Sequence, residues 1–310
     1  MKDKDDLSWY ARKADGLRTA RSPDARLQTS ARARELLAAL EAGGIKGSIE
    51  KRTLYTRRLP PGCRGCLLGR GTNLYATGLC TRECFFCFNE KPRRDEMVVH
   101  GIRVEKPEEA AEIVERYGLR SVGISGGEPL LTPDRVFDLL RALRALKLRV
   151  RIDLYTNGDL ATEGLLSKLK EAGLDSVRFN LVANNFDLRP VESALKFFDE
   201  TAVEIPVVPS LMEALKRMVL DLDRLGAPFL ILHELFECSE NSEGIRSQGH
   251  EGGGVGGTLL WRPIRGGEDA ALELLLFALE RTSRLSAYYC SCLTQESISR
   301  RGLARRGLAT

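Results

Sequence analysis

From Thr72 onward, short apolar segments typical of β-strands alternate with longer segments whose apolar residues recur at helical spacing. The strand-like segments are 73–77, 121–125, 149–155, 176–183, 203–208 and 229–235, and helix-like segments lie between them at 107–117, 133–146, 162–172, 191–199 and 210–225. Strands that alternate with helices run parallel and are joined by right-handed crossovers. Six such units are too few for the usual eight-stranded barrel. We therefore predict an α/β fold built on a partial (βα)6 TIM-like barrel of parallel strands.

The remaining sequence divides into segments on either side of this barrel. We expect a helical N-terminal extension over 1–58, whose main helix is predicted to start at Ser22-Pro23, and a Cys-x-x-Cys knuckle over 59–71. The barrel core is expected over 72–237. Residues 238–310 then form a glycine-rich loop and a C-terminal cap with a Cys-x-Cys, and the glycine content of 239–257 predicts a mobile loop that closes over the barrel mouth.

The eight cysteines point to metal or redox chemistry, because five of them fall between positions 63 and 87. No apolar run approaches the roughly 20 residues that span a bilayer, and no secretory signal is recognisable at the start. We therefore expect a cytoplasmic protein with no membrane contact. In that reducing compartment, clustered thiols bind metals more often than they form disulfides.

Cys80, Cys84 and Cys87 immediately follow the first predicted strand, where parallel α/β folds bind their ligands. Three thiolates within eight residues can share one soft metal centre and leave one coordination position open. A structural zinc site requires four ligands. A zinc ribbon that pairs Cys63 and Cys66 with two of the three cysteines is the alternative.

The cysteine spacing C-x3-C-x2-C at 80–87, together with SGGEP at 125–129 and TNG at 156–158, closely resembles the radical S-adenosylmethionine (SAM) superfamily. The resemblance covers roughly residues 72–237, the barrel core. Segments such as GCRGCLLG at 62–69 further resemble an uncharacterised group within it, described as related to pyruvate formate-lyase-activating enzymes.

The resemblance implies a cofactor set and its ligands. In the family, three cysteines hold three irons of a [4Fe–4S] cluster, and SAM chelates the fourth iron. It assigns the cluster to Cys80, Cys84 and Cys87. It assigns contacts with SAM to Phe86, Gly126, Gly127, Glu128, Pro129, Thr156, Asn157 and Asn180. In this assignment Glu128 and neighbouring carbonyls accept hydrogen bonds from the ammonium group of methionine.

The resemblance also implies a reaction. The reduced cluster cleaves SAM to a 5′-deoxyadenosyl radical, which abstracts hydrogen from a protein or peptide, as activating enzymes do. A flavodoxin or a ferredoxin supplies the electron. Two alternatives stay open. The excess of basic residues at both ends of the chain favours RNA or a nucleotide as substrate, and a non-catalytic zinc-binding protein is the other.

A second cysteine set precedes and follows the barrel. Cys63, Cys66, Cys290 and Cys292 are candidate ligands of a second site, because chain ends often meet in space. An auxiliary [4Fe–4S] cluster, a zinc ion and four unrelated thiols are the three interpretations.

Two further residues at the predicted barrel mouth are candidates for catalysis. His233 ends the sixth predicted strand. It is a candidate acid, base or substrate contact, and a structural histidine is the alternative. Cys238 is a candidate ligand or hydrogen donor, or a small buried residue.

Overall fold

The computed structural model describes residues 29–253 and 261–307, which contain an eleven-stranded sheet and a separate two-stranded sheet. The strands are β1 Lys46–Ser48, β2 Thr53–Tyr55, β3 Gly71–Thr77, β4 Met97–Val99, β5 Ile102–Val104, β6 Ser121–Gly126, β7 Arg151–Thr156, β8 Ser176–Phe179, β9 Ala202–Val207, β10 Phe229–Glu234, β11 Phe236–Cys238, β12 Trp261–Pro263 and β13 Ser286–Cys290. The order across the eleven-stranded sheet is β1-β2-β13-β10-β9-β8-β7-β6-β3-β4-β5, and β11 and β12 form the two-stranded sheet. The run from β13 to β3 is parallel, whereas β1, β2, β4 and β5 extend its two edges in antiparallel pairing.

Helices connect these strands, and most of them cover one face of the sheet. They are α1 Ala31–Ala42, α2 Pro61–Leu67, α3 Pro107–Arg116, α4 Pro133–Arg144, α5 Glu163–Glu171, α6 Arg189–Leu195, α7 Met212–Leu225, α8 Ser242–Ser247, α9 Gly267–Arg281 and α10 Cys292–Arg305. Proline at the first helical position begins α3 and α4, where its missing N–H has no helical partner to lose. Gly226, with φ of 83°, ends α7 in the left-handed conformation that glycine adopts readily.

The two faces of the parallel sheet differ in polarity. Ile152 and Leu154 of β7 lie in the main apolar core, which also contains the buried faces of the helices. Asp153 between them points to the opposite, concave face, because successive strand residues alternate. In β8, Val177 likewise lies in the apolar core, and Arg178 points to the concave face, where it pairs with Asp153. The concave face therefore holds polar and charged side chains inside the partial barrel.

Two helices close the concave side. Arg301 of α10 donates to the Leu67 carbonyl at the end of α2, so the two helices cross. At Gly62, a Cβ would lie 2.1 Å from Asp153 Oδ2 and 2.2 Å from Arg178 Nη2, so the start of α2 is pressed against the barrel interior. The segments that flank the barrel in the sequence, α2 and α10, therefore close its concave side.

The predicted α/β class with a partial TIM-like barrel is confirmed, and several details differ. A seventh parallel strand, β13, extends the six predicted strands. The strand predicted over 176–183 ends at Phe179, because the chain then turns through Asn185 and Phe186, both with positive φ. The segment 239–257, predicted as a loop, contains α8 before it leaves the described residues.

The N-terminal extension is described only from residue 29. Ser30 begins α1 by accepting a hydrogen bond from the Ala33 N–H, and the helix start predicted at Ser22 lies outside the described residues. Among the helices that the structure describes, none combines the length and apolar character of a membrane span.

Candidate active site

The three cysteines of the C-x3-C-x2-C motif lie on a loop at the carboxyl end of β3. This segment, which we call the cysteine loop, is residues 78–96 and contains no helix or strand. Cys80, Cys84 and Cys87 are half-buried free thiols on it. The loop therefore occupies the edge at which parallel sheets bind ligands.

Residues that follow β7 fasten the cysteine loop to the sheet. Asp159 accepts hydrogen bonds from Thr81 Oγ1 at 2.8 Å and from Nε and Nη2 of Arg82 at 2.7 and 2.6 Å. Asn157 Nδ2 donates to Thr81 Oγ1 at 2.8 Å and lies 3.8 Å from Cys80 Sγ. The TNG segment thus contacts the cysteine loop directly.

Cys80 and Cys87 lie close enough to Cys84 to affect its ionisation. Burial raises the pKa of the Cys84 thiol to about 11, with added contributions from Cys87 and Cys80. Within residues 29–253 and 261–307, no three or more Cys, His, Asp or Glu side chains are grouped as ligands of a metal ion.

The glycine pair after β6 allows two backbone segments to touch. Gly126 has φ of 124°, and a Cβ there would lie 2.1 Å from the Thr77 carbonyl oxygen. A Cβ on Gly127 would lie 1.9 Å from the Leu79 carbonyl oxygen. Gly127 N donates to Thr77 O at 2.8 Å, so only glycine permits this contact between the motif and the start of the cysteine loop.

Glu128 joins the ends of two strands from a fully buried position. Its carboxylate accepts from Thr156 Oγ1 at 2.8 and 2.9 Å, from Asn157 N at 2.8 Å and from Leu130 N at 3.1 Å. Burial raises its pKa, and these hydrogen bonds oppose the rise. Both carboxylate oxygens are therefore engaged within the protein. Its predicted contact with SAM stays a prediction, and the structure gives it a positioning role.

The other predicted SAM contacts lie near the same edge. Pro129 is buried and begins the short turn Pro129–Leu131. Asn180 follows β8 directly; its N–H donates to the Thr156 carbonyl at 3.0 Å, and its Oδ1 accepts from Ala183 N at 3.2 Å. These contacts hold Asn180 beside the TNG segment.

Phe86 connects the cysteine loop to the segment after β10. Its ring lies edge-on to Phe85 at 5.2 Å and packs on the small apolar cluster that contains Val208 and Ile245. Asn241 Nδ2 donates to the Phe86 carbonyl at 3.1 Å. A Cβ on Gly244 of α8 would lie 2.3 Å from the Phe85 carbonyl oxygen, so α8 rests against this loop.

A chain of charged side chains crosses the barrel interior below this edge, and we call Asp153, Arg178, Glu204 and His233 the charge chain. Arg178 pairs with Asp153 and Glu204 at 2.6 Å each, and His233 Nε2 lies 2.7 Å from Glu204 Oε1. Burial opposes ionisation of Glu204, but Arg178 and His233 outweigh it and lower its pKa to about 2. An ionised carboxylate only accepts, so His233 Nε2 carries the hydrogen.

His233 was predicted as a candidate site residue from the sequence, whereas the other three members of the charge chain were not. The available signal was one charged residue in the middle of each of three apolar strands. His233 is 30% exposed, whereas Arg178 is 4% exposed, so the chain ends at its most open member. The catalytic role of His233 stays a prediction.

The structure brings together only part of the second cysteine set. Cys63 and Cys290 pack in one buried cluster, and Cys66 lies one turn after Cys63 on α2. Cys292 is buried elsewhere, with its Sγ 3.9 Å from the Glu234 carbonyl oxygen. Cys238 ends β11, which pairs antiparallel with β12; burial raises its pKa to about 12, and Glu240 beside it contributes.

Residues 74–197, which contain the cysteine loop and the GGEP and TNG segments, match the Radical SAM superfamily. The chain is a member of the radical SAM superfamily. The chain is 27% identical over 256 residues to a putative glycyl-radical enzyme activating enzyme, MJ0021, of Methanocaldococcus jannaschii. The alignment covers 79% of this chain and 66% of that protein. This radical SAM enzyme is also 32% identical over 139 residues, 43% of each chain, to a probable GTP 3′,8-cyclase of Saccharolobus islandicus.

The fold is also similar to a solved structure. The FeFe-hydrogenase maturase HydG from Carboxydothermus hydrogenoformans superposes with a TM-score of 0.50 at 13% identity, over 96% of this chain and 75% of that chain. The match shows a shared fold. The chain spans less than two thirds of the length of the curated relatives named above.

Radical SAM enzymes bind a [4Fe–4S] cluster and SAM, and the residues at this edge suit both. Three thiols on one loop are the soft donors that iron–sulfur clusters require. The absence of side chains at Gly126 and Gly127 lets the backbone after β6 approach the start of that loop closely. The donor set and the glycine pair therefore fit the cofactors of the family.

Proposed function

We propose that Cys80, Cys84 and Cys87 hold the [4Fe–4S] cluster and that SAM binds next to it along Gly126 and Gly127. One observation carries the proposal: segments from three adjacent strands meet at one edge. The Glu128 N–H donates to the Leu79 carbonyl at 2.7 Å, and Asn157 contacts the cysteine loop as described above.

When bound, the cluster and SAM supply a 5′-deoxyadenosyl radical by one-electron cleavage of the sulfonium. The chain contributes position and enclosure. Glu128 and Thr156 hold the strand ends in register, and Phe86 offers an aromatic face to adenine. α8 covers the outer side of the cysteine loop and limits access of water to it.

We propose a protein or peptide as the hydrogen donor, as in an activating enzyme. The support is the similarity to the putative activating enzyme, which extends over 79% of this chain and therefore beyond the superfamily match. A flavodoxin or a ferredoxin supplies the electron, and the reaction takes place in the cytoplasm, where free thiols persist.

A nucleotide or RNA is the second candidate substrate. It is favoured by the 32% identity to the probable GTP 3′,8-cyclase and by the basic residues of α10. That alignment covers 43% of the chain, so it gives weaker support to this substrate class than the longer alignment gives to a protein.

Transfer of deuterium into 5′-deoxyadenosine separates the two substrates. The reconstituted enzyme is incubated with SAM, dithionite and the protein fraction of host cells grown on deuterated amino acids. We expect deuterated 5′-deoxyadenosine from this fraction and none after protease digestion and removal of peptides. Deuterium transfer from ribose-deuterated GTP or RNA, with none from protein, would favour the second candidate instead.

A further inference from the structure

Cys63 and Cys290 of the second cysteine set pack in one buried cluster on the concave side of the sheet, and Cys66 lies one helical turn from Cys63. Cys63 and Cys66 are three residues apart on α2, and this spacing places both on one helix face. Cys290 ends β13 at 5% exposure and shares a buried cluster with Cys63, Phe229 and Tyr288. Because α2 enters the barrel interior, Cys63, which precedes the barrel in the sequence, packs next to Cys290, which follows it.

Cys66 faces the same interior. A Cβ on Gly71 would lie 2.7 Å from Cys66 Sγ, so the thiol is packed between α2 and the start of β3. Cys66 lies one helical turn from Cys63, and Cys63 packs in one buried cluster with Cys290.

A cation lies beside these sulfurs. Arg178 Nη1 donates to Cys63 Sγ at 3.5 Å while the rest of its guanidinium pairs with Asp153. Thiolates that bind iron carry negative charge, and hydrogen bonds to sulfur tune such centres. Arg178 therefore provides an N–H donor of the kind that tunes a thiolate-ligated centre.

Cys292 is equally buried and is directed elsewhere. Its N–H donates to Glu234 Oε2 at 2.8 Å, and its thiol faces the Glu234 carbonyl. Tyr289 also donates to Glu234, at 3.0 Å, on the helix-covered side of β13. Cys292 lies two residues after Cys290, beyond the end of β13, and its thiol is therefore separated from the other three.

We propose that Cys63, Cys66 and Cys290 hold a second iron–sulfur cluster in the barrel interior and that Cys292 is not one of its ligands. The donors are thiols only, which favours iron–sulfur chemistry, and a closed zinc site would require a fourth protein ligand. This cluster lies beside the charge chain, away from the cysteine loop, and does not depend on the SAM reaction proposed above.

The test uses the full chain with Cys80, Cys84 and Cys87 all changed to Ala, which removes the first cluster site. After anaerobic reconstitution with iron and sulfide, iron, acid-labile sulfide and zinc are measured, and the reduced protein is examined by electron paramagnetic resonance. We expect about half of the parent protein's iron to remain, together with sulfide and a cluster signal.

In that background, Cys63→Ser and Cys290→Ser should each abolish the remaining iron, whereas Cys292→Ser, a matched control at 0% exposure, should retain it. Circular dichroism identifies any variant that fails to fold, and Cys66→Ser then replaces it. Absence of iron in the triple variant, equal loss in Cys292→Ser, or zinc without sulfide would overturn the proposal. Failure of SAM cleavage by the parent chain, with this iron retained, would overturn only the proposed function.

Discussion

The carboxylate of Glu128 accepts the Thr156 hydroxyl at 2.8 and 2.9 Å, and this contact joins the GGEP segment after β6 to the TNG segment at the end of β7. Both side chains are buried, and Asn157 N–H donates to the same carboxylate. The two motifs therefore form one unit behind the cysteine loop.

Glu128→Gln should weaken the contact between the GGEP and TNG segments. In either orientation the amide N–H₂ faces a backbone donor, Asn157 N or Leu130 N, and leaves it unpaired. We expect a loss of about 1–3 kcal/mol in the free energy of unfolding, measured by urea denaturation, together with weaker SAM binding. The exposed Glu112→Gln is the control. Equal stability of the two variants would show that the buried carboxylate does not hold the strand ends.

Gly127→Ala should displace the cysteine loop, because its Cβ would lie 1.9 Å from a backbone oxygen that cannot move aside without the loop. We expect 5′-deoxyadenosine formation to fall by about 100-fold, the scale of a small misplacement of reacting groups. Gly164→Ala has open space around its Cβ and should keep the parental rate. Parental activity in Gly127→Ala would contradict the close approach.

Arg178→Met should destabilise the barrel interior, because it removes the buried guanidinium that pairs with both Asp153 and Glu204. Breaking a buried ion pair costs about 3–5 kcal/mol of folding free energy. The side chain of Arg189, which pairs with Asp187, is 86% exposed, so Arg189→Met should leave the free energy of unfolding close to that of the parent chain. The two unfolding free energies are compared by chemical denaturation, and similar losses would refute the importance of the charge chain.

His100 makes stability depend on pH. Burial first, and then Arg306 and Arg305, lower its pKa from 6.5 to about 4. Below pH 6.5 the unfolded chain binds a proton that the folded chain does not, so stability present at neutral pH is lost as pH falls towards 4. Between pH 7 and pH 5 the loss from this residue is about 2 kcal/mol.

His100→Asn should remove that contribution, and asparagine tolerates the φ of 51° at this position. Urea denaturation at the two pH values measures the difference between the parent chain and the variant. An identical pH dependence in both proteins would show that His100 is not the titrating group.

The parts of this molecule that could be predicted are those with local sequence signals. The phasing of β6 and β7 placed the GGEP and TNG segments at the sheet edge, because strand ends in parallel folds share one edge. β13 was missed because it is only five residues long and pairs with β10, which lies far earlier in the chain. The three-residue strands β4 and β5 are too short to show alternation.

The site details that could not be predicted depend on pairing between distant segments. Arg178 is a single charged residue in a buried strand, and nothing local shows that Asp153 and Glu204 lie on either side of it. Cys290 and Cys292 are indistinguishable in a Cys-x-Cys pattern. Only the end of β13 directs one thiol into the barrel interior and the other towards Glu234.

The central claim is that the three cysteines of the cysteine loop support cleavage of SAM. The most direct measurement is 5′-deoxyadenosine, quantified by mass spectrometry after anaerobic incubation of the reconstituted chain with SAM and dithionite. We predict product from the parent chain and from Cys238→Ala, and none from Cys84→Ala. Absence of product from a parent chain with a full, reducible cluster, or undiminished product from Cys84→Ala, would contradict the account.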